Sequence, residues 1–260
     1  KMWQDGVRVV IPMWRTDIFG EGLHSSLTEN FKRMGGTVVE GGGYKPPTGD
    51  FSASLHRINF IFWEQDLKVL ESRVKDAIRQ YGADKVGVYA VSFDEIVPIM
   101  IQSQRHPVLS SVKWYGSDGS ALNAGLVKNT DAANLAIETS FVNPIYAVDN
   151  ENDSKFIKVN KEITKEIGHS HRSYAALAYD ALIVAALTSD ELQANQTNDR
   201  NTLSKTLLKV ADSYHGITGK TLLNEAGDRM AGSYDFWAIT SENTNGKSAY
   251  QWNRVDTYHD

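Results

Sequence analysis

The 260-residue sequence contains no cysteine. That excludes a disulfide-stapled scaffold, a thiolate metal site and a cysteine nucleophile. It leaves the compartment open, because an extracellular protein with a large enough core needs no disulfide. Basic residues are in the minority, with 27 Lys and Arg against 32 Asp and Glu and a formal net charge of −5. A nucleic-acid-binding surface needs a basic patch, and this mild acidic balance argues against one. Long hydrophobic runs are missing too. The most apolar stretch, Tyr174 to Leu187, carries Asp180 near its middle and falls short of the roughly 20 apolar residues that a membrane span needs. No signal-peptide pattern precedes the first strand-like run, which follows Lys1-Met2-Trp3-Gln4-Asp5 at once. There is no Gly-x-Ser-x-Gly elbow, no His-Glu-x-x-His, and no Ser/His/Asp set ordered by the elements. Nothing positively suggests catalysis, and neither a cofactor nor a metal is expected.

What is present is the composition of an ordinary soluble globule, 41% apolar and 23% charged, long enough for one large or two modest domains. Val7 to Met13 reads as a buried strand. Leu23, Leu27, Phe31 and Met34 recur at helical spacing, so Glu21 to Met34 reads as a helix stopped by Gly35-Gly36. Thr37 to Glu40 is a second strand. The loop Tyr44 to Asp50 holds Pro46, Pro47 and Gly49. Trp63 to Tyr81 carries Leu67, Leu70, Val74, Ile78 and Tyr81 on one helical face. Lys85 to Val91 is a third strand. Phe93 to Ser103 is a helix in which Pro98 marks a kink or the first turn. Val112 to Tyr115 is a fourth strand. Such alternation predicts right-handed crossovers, a parallel sheet and flanking helices. Beyond Ser120 the spacing predicts helices over Ser154 to Ile167, Ser173 to Leu187 (apolar nearly all round, hence buried) and Thr202 to Val210. A short strand over Thr218 to Leu223 and a terminal hairpin around Asn245-Gly246 follow.

In parallel sheets of this kind ligands sit beyond the carboxyl ends of the strands. That rule picks out three loops, Trp14 to Gly22, Ser92 to Glu95 and Gly116 to Ser120. Asp118 lies in Gly116-Ser117-Asp118-Gly119-Ser120, whose other side chains are too small to cover it. A carboxylate there can meet a ligand cation, or it can serve as an Asx turn or helix cap. Phe19 and Phe93 occupy the two companion loops, where aromatics enclose small ligands or else belong to the core. Gly20-Glu21-Gly22-Leu23-His24-Ser25, with Glu40 at the end of the next strand, approximates a dinucleotide fingerprint. However, Trp14 to Phe19 separate it from its strand, so glycines at a helix N-terminus are the better reading. His169 and His171 lie two apart beside Arg172 with no third metal ligand placed by spacing, which favours a solvated helix entry capped by Ser173.

Val9-Val10-Ile11-Pro12 followed by Asp17-Ile18-Phe19-Gly20-Glu21-Gly22, then Phe31-Lys32-Arg33-Met34-Gly35-Gly36-Thr37-Val38-Val39, form one pattern. Tyr44, Thr48-Gly49-Asp50-Phe51-Ser52, Trp114-Tyr115-Gly116-Ser117-Asp118-Gly119 and Tyr174 to Ala181 continue it. So do Gly216-Ile217-Thr218-Gly219-Lys220 and Asn224 to Arg229. Together they resemble the type I periplasmic solute-binding proteins, the branched-chain amino acid receptors of ABC transporters. The likeness covers almost the whole chain. It departs at Arg57 to Gln80, which is longer and more charged, and at the start, where the first half-lobe of strand–helix units is missing. Either the chain is a fragment, or that piece is supplied elsewhere.

The resemblance implies an α/β fold of the type I periplasmic-binding-protein kind, with two lobes and the N-terminal half of lobe 1 absent. Residues 7–142 with 233–260 are expected to form lobe 2, and 143–232 the C-terminal part of lobe 1. Crossing segments are expected near Asp5-Gly6, Ser140 to Asn143 and Gly232 to Asp235. The implied function is non-enzymatic, a solute-binding subunit that takes an amino acid or similar small polar ligand by hinge closure and passes it to an ABC permease. A ligand-sensing domain of a receptor or amide-responsive regulator is the alternative, and an NAD-dependent enzyme a distant third. Phe19, Ser92, Phe93, Ser117 and Asp118 form the implied ligand-binding set. Phe19 stands where the family often has a ligand-covering tyrosine, and Asp118 where a carboxylate meets the ligand's α-ammonium. The implied location is extracellular or periplasmic, with any membrane anchor in the missing N-terminus and no span in this chain.

Overall fold

The computed structural model describes residues 1–45, 64–148, 153–168, 173–194, 199–225, 227–230, 232–244 and 247–259. The loop holding Pro46 and Pro47, His169 to Arg172, and Asn245-Gly246 lie outside the described residues. The chain divides into two compact units, Lys1–Pro144 with Phe236–Asp256, and Ile145–Asp235 with Thr257–Asp260.

The first unit alternates strand and helix, as the spacing predicts. β1 (Val9–Arg15) leads into α1 (Ile18–Arg33), β2 (Thr37–Val38) and β3 (Gly42–Tyr44). Then come α2 (Glu64–Tyr81), β4 (Val86–Val91), α3 (Ile96–Ser103), α4 (Pro107–Ser110) and β5 (Lys113–Gly116). α5 (Ala124–Lys128), α6 (Thr130–Glu138) and β6 (Val142–Tyr146) complete the run. Near the chain's end β9 (Tyr234–Thr244) and β10 (Lys247–Tyr258) extend the sheet, whose order is β10-β9-β6-β5-β4-β1-β2 with β3 also on β1. β1 pairs in parallel with β2, β3 and β4, β4 with β5, and β5 with β6. A mostly parallel α/β sheet with flanking helices is therefore shown.

Two-residue alternation splits the strands between two cores. Val9, Ile11 and Met13 join Val86, Val88, Ala90 and Trp114 in the larger core, packed by Leu67, Leu70 and Val74 of α2 and by residues of α3 and α6. Val10, Tyr115 and Val142 point the other way, to Phe31 and Leu27 of α1. Crossover handedness explains this division. The step from β1 to β2 runs one way along the sheet, and every later step toward β4, β5 and β6 runs the other way. Right-handed connections therefore put α1 on one face and α2 to α6 on the opposite face.

The structure corrects several expectations. α1 begins at Ile18, not Glu21, because the Asp17 side chain accepts the Gly20 N–H at 3.0 Å and caps it. The approximate dinucleotide motif is a packing feature, since a Cβ on Gly20 would collide with the Arg15 carbonyl. Pro98 falls in the first turn of α3, where its missing N–H costs nothing. Between Ser120 and Ser154, where the spacing predicts no element, alternation continues through α5, α6 and β6. Where a strand was expected over Thr218 to Leu223, only Gly219–Lys220 (β8) is a strand, paired with His215–Gly216 (β7).

The second unit is helix-rich, with α7 (Ser154–Ile167), α8 (Ser173–Ala194) and α9 (Arg200–Ser213). α8 is not buried all round. Ala176, Asp180, Val184 and Thr188 form its buried stripe, while Leu182 is 67% exposed. Asp180 accepts the N–H groups of Ile217 at 2.9 Å and Thr218 at 2.8 Å, and the Thr218 hydroxyl at 2.6 Å. A carboxylate buried among helices is thus satisfied by the turn it holds.

Candidate functional site

The carboxyl ends of β1, β4 and β5 form one rim of the first unit, and an ion-pair cluster organises it. Arg15 ends β1. Its Nε donates to Asp17 Oδ2 at 2.6 Å, and its Nη1 to Glu95 Oε1 at 2.9 Å. Glu95 is buried, and the Tyr44 hydroxyl stands 3.0 Å from the same Oε1 and 2.9 Å from the Val91 carbonyl. Burial and the Glu95 charge push the Tyr44 hydroxyl well above its ordinary range, so it stays a proton donor. Burial works against ionising Asp17, yet the Gly20 N–H and the Arg15 guanidinium hold it below the usual carboxylate range.

On this cluster rest two aromatic rings. Phe19, in the first turn of α1, stacks on Phe93, which follows β4, with centroids 4.7 Å apart and planes 18° from parallel. Arg15 Cζ lies 4.4 Å from the Phe93 centroid, a cation–π contact. At that separation nothing fits between the rings. They form one apolar wall, with Phe93 39% exposed.

The loop after β5 seals against this wall. Asp118 opens a short 3₁₀ turn, Asp118–Ser120, and is half-buried. A Cβ on Gly119 would stand 2.6 Å from Phe93 Cδ1 and 2.6 Å from the Ser92 carbonyl oxygen, so only glycine allows this approach. Ser117 Oγ donates to the Ser92 carbonyl at 3.3 Å, and Ser120 Oγ to Asn143 Oδ1 at 2.7 Å. The Asp118 charge reaches Tyr89 on β4: burial first, and this carboxylate second, push the Tyr89 hydroxyl upward.

Of the five residues singled out from the sequence, the structure gathers Phe19, Phe93 and Asp118 on the rim. Ser92 and Ser117 lie beneath, both fully buried. The Ser117 hydroxyl is engaged with the main chain of the loop after β4, while Ser92 Oγ has no partner among the described residues. Sequence reasoning did not single out Arg15, Asp17, Tyr44 and Glu95. The Asp17 signal was available as an acidic residue ahead of a helix. The Arg15–Glu95 pair spans 80 positions and had no local sign. Among the described residues no His/Asp/Glu group could hold a metal ion, and no helix is long and apolar enough to cross a membrane.

The family described as "Receptor family ligand binding region" matches residues 5–242. An uncharacterized protein of Methanocaldococcus jannaschii is 26% identical over 250 residues, covering 92% of this chain and 54% of that protein. The chain thus spans about half the length of the curated relative it matches. A leucine-binding protein of Thermotoga maritima has a similar structure, with TM-score 0.56 and 16% identity over 98% of this chain and 61% of its own. A solute-binding protein of an ABC transporter from Rhodopseudomonas palustris, solved with 3,4-dihydroxybenzoic acid, gives TM-score 0.57 and 14% identity over 98% and 61%. At these identities the structural likeness speaks for the fold alone, the periplasmic-binding-protein type I fold.

Proposed function

Since the chain belongs to the receptor family ligand binding region family, we propose that it is the solute-binding part of an ABC importer and takes an amino acid. In this reading the unit holding β1 to β5 is lobe 2, the helix-rich unit is the C-terminal part of lobe 1, and hinge closure encloses the solute before it passes to a permease. The reading makes the chain a binding protein and places it outside the cytoplasm. The observation that carries it is the half-buried Asp118 carboxylate on a rim sealed against the Phe19–Phe93 wall. A carboxylate favours a cationic group and a stacked pair of rings favours an apolar body. An α-amino acid with an apolar side chain offers both. An aromatic acid such as the one bound by the R. palustris protein has no cation, and Asp118 would repel it.

The test is Asp118→Asn in the full-length protein, with L-leucine and L-phenylalanine as titrants in calorimetry. Losing the charge pair should weaken binding by roughly 2–4 kcal/mol, about 30- to 1000-fold in Kd. The ligand-free melt should not move, because the turn's hydrogen bonds run to the Ser117 and Asp118 main-chain carbonyls, which the substitution leaves in place. Affinity within about twofold of wild type would reduce Asp118 to a turn residue. A collapsed ligand-free melt would assign it a structural role instead.

A further inference from the structure

We propose that Asn143 is the positioning residue of the Asp118 carboxylate, tying the loop that carries it to β6. The inference rests on the reading of Asp118 as the group that meets the solute's ammonium. It starts from an anomaly of burial. β6 pairs in parallel with β5, with Val142 opposite Tyr115, so Asn143 stands opposite Gly116. Tyr115 and Val142 face α1. Asn143 therefore points to the other face, where Trp114 and Phe141 lie in the larger core. An amide in that position is fully buried, and its Nδ2 has no partner among the described residues. A buried N–H group without an acceptor costs free energy, and an apolar side chain of similar shape would avoid that cost. Stability does not explain an asparagine here.

The other half of the amide does explain it. Asn143 Oδ1 accepts the Ser120 hydroxyl at 2.7 Å. To reach Ser120 the side chain passes directly over the end of β5, where a Cβ on Gly116 would stand 1.8 Å from Asn143 Oδ1. Glycine at 116 is what leaves the path open. On its other side the loop is held by Ser117 and Gly119, against Ser92 and Phe93. Asp118 is thus carried on a turn fastened at both flanks, to the loop after β4 on one and to β6 on the other. The β6 anchor is firm, because Phe141 and Val142 just before it are buried on opposite faces of the sheet.

Backbone strain marks both ends of the tie. Leu122, just after the Asp118 turn, has φ +56, and Ser140, just before β6, has φ +52. Among the described residues these are the only ones other than glycine in the left-handed region. Such conformations persist only where the surroundings over-determine them, and they gather at functional sites. Here one lies beside the donor's loop and the other beside the acceptor's strand. The placement of the two segments against each other is therefore held at a cost, as the unpartnered Nδ2 is.

Two variants cut the tie from opposite ends. Asn143→Leu removes the acceptor and the unpartnered N–H group together, and the Ser120 hydroxyl keeps the Ser117 carbonyl, 3.1 Å away. Ser120→Ala removes the donor without adding volume. The N–H groups of Ser120 and Ala121 close the turn on the Ser117 and Asp118 carbonyls. In both variants their hydrogen exchange, followed by NMR without ligand, is expected to quicken at least about tenfold, with the Trp114 amide of β5 unchanged. Affinity for L-leucine and L-phenylalanine in calorimetry is expected to fall about tenfold. On an Asp118→Asn background the same changes should cost less than about twofold more, because no charge is left to position. Unchanged exchange at Ser120 and Ala121 would overturn the proposal whether or not the amino acids bind. So would faster exchange with undiminished affinity, or an affinity loss just as large on the Asp118→Asn background, which would make Asn143 a general structural residue. If the unaltered protein binds neither amino acid, or Asp118→Asn binds as tightly as it does, the solute reading fails instead, and the exchange rates alone decide for or against the tie.

Discussion

At the scale of single residues, Asp17 connects fold to site. Its carboxylate caps α1, which sets where Phe19 stands, and it holds Arg15, which underlies Phe93. Asp17→Ala removes the cap and should cost about 1 kcal/mol, within a range of roughly 0.5–2. The pH dependence carries a sign. Asp17 is held below its ordinary value in the folded state, so between the two values the unfolded state binds more protons. Its contribution is therefore complete above about pH 4, where the unfolded carboxyl is ionised, and fades as pH falls through the folded value. Urea melts of wild type and Asp17→Ala should differ at pH 7 and converge in acid. A gap that persists unchanged at low pH would show that Asp17 acts through packing and not through its charge.

At the scale of elements, the loops after β4 and β5 behave as one rim because Gly119 lets them touch. Gly119→Ala drives a Cβ against Phe93 and against the Ser92 carbonyl, a backbone atom that cannot swing aside. Destabilisation of about 1–3 kcal/mol is expected, with Phe93 displaced. Gly22, inside α1, offers the contrast. Nothing lies within 4 Å of its would-be Cβ, so Gly22→Ala should stabilise by about 0.5–1 kcal/mol. Thermal melts of both variants decide the matter, and equal effects would refute the close-approach argument. The same scale shows what the sequence could reveal. β1, β4 and β5 were legible because they are short runs buried on both faces, and α2 because its apolar stripe repeats over five turns. α5 and α6 were not, being short helices that begin at the caps Asn123 and Asn129 with little periodicity to read. β6 holds Pro144, which counts against a strand, and Gly42-Gly43-Tyr44 becomes β3 only through pairing with β1. Of the rim, Phe19, Phe93 and Asp118 could be singled out by the carboxyl-edge rule. The Arg15–Glu95–Tyr44 cluster beneath them could not, because its members meet only after the strands have paired.

At the scale of the whole molecule, the two units differ in how much apolar surface each buries. The first has a continuous core around β1, β4 and β5, with Trp114 fully enclosed. Among the described residues the second has two small clusters, Phe156 with Ala176 and Ile217, and Val184 with Val210 and Ala211, while Ile157 is 53% and Leu182 67% exposed. Units with few buried apolar contacts open at lower free energy. All six tryptophans fall in the first unit's numbering or in the stretch before α2, so tryptophan emission reports on that unit, whereas helical circular dichroism reports on both. In urea, helical signal should therefore fall before tryptophan emission shifts. Asp180→Ala should widen the interval. It leaves the N–H groups of Ile217 and Thr218 without their buried acceptor, a loss of about 3 kcal/mol confined to the second unit. The emission midpoint should stay where it is. Coincident transitions in the wild type, or an emission midpoint that moves with the Asp180→Ala helical midpoint, would show instead that the chain unfolds as a single cooperative body.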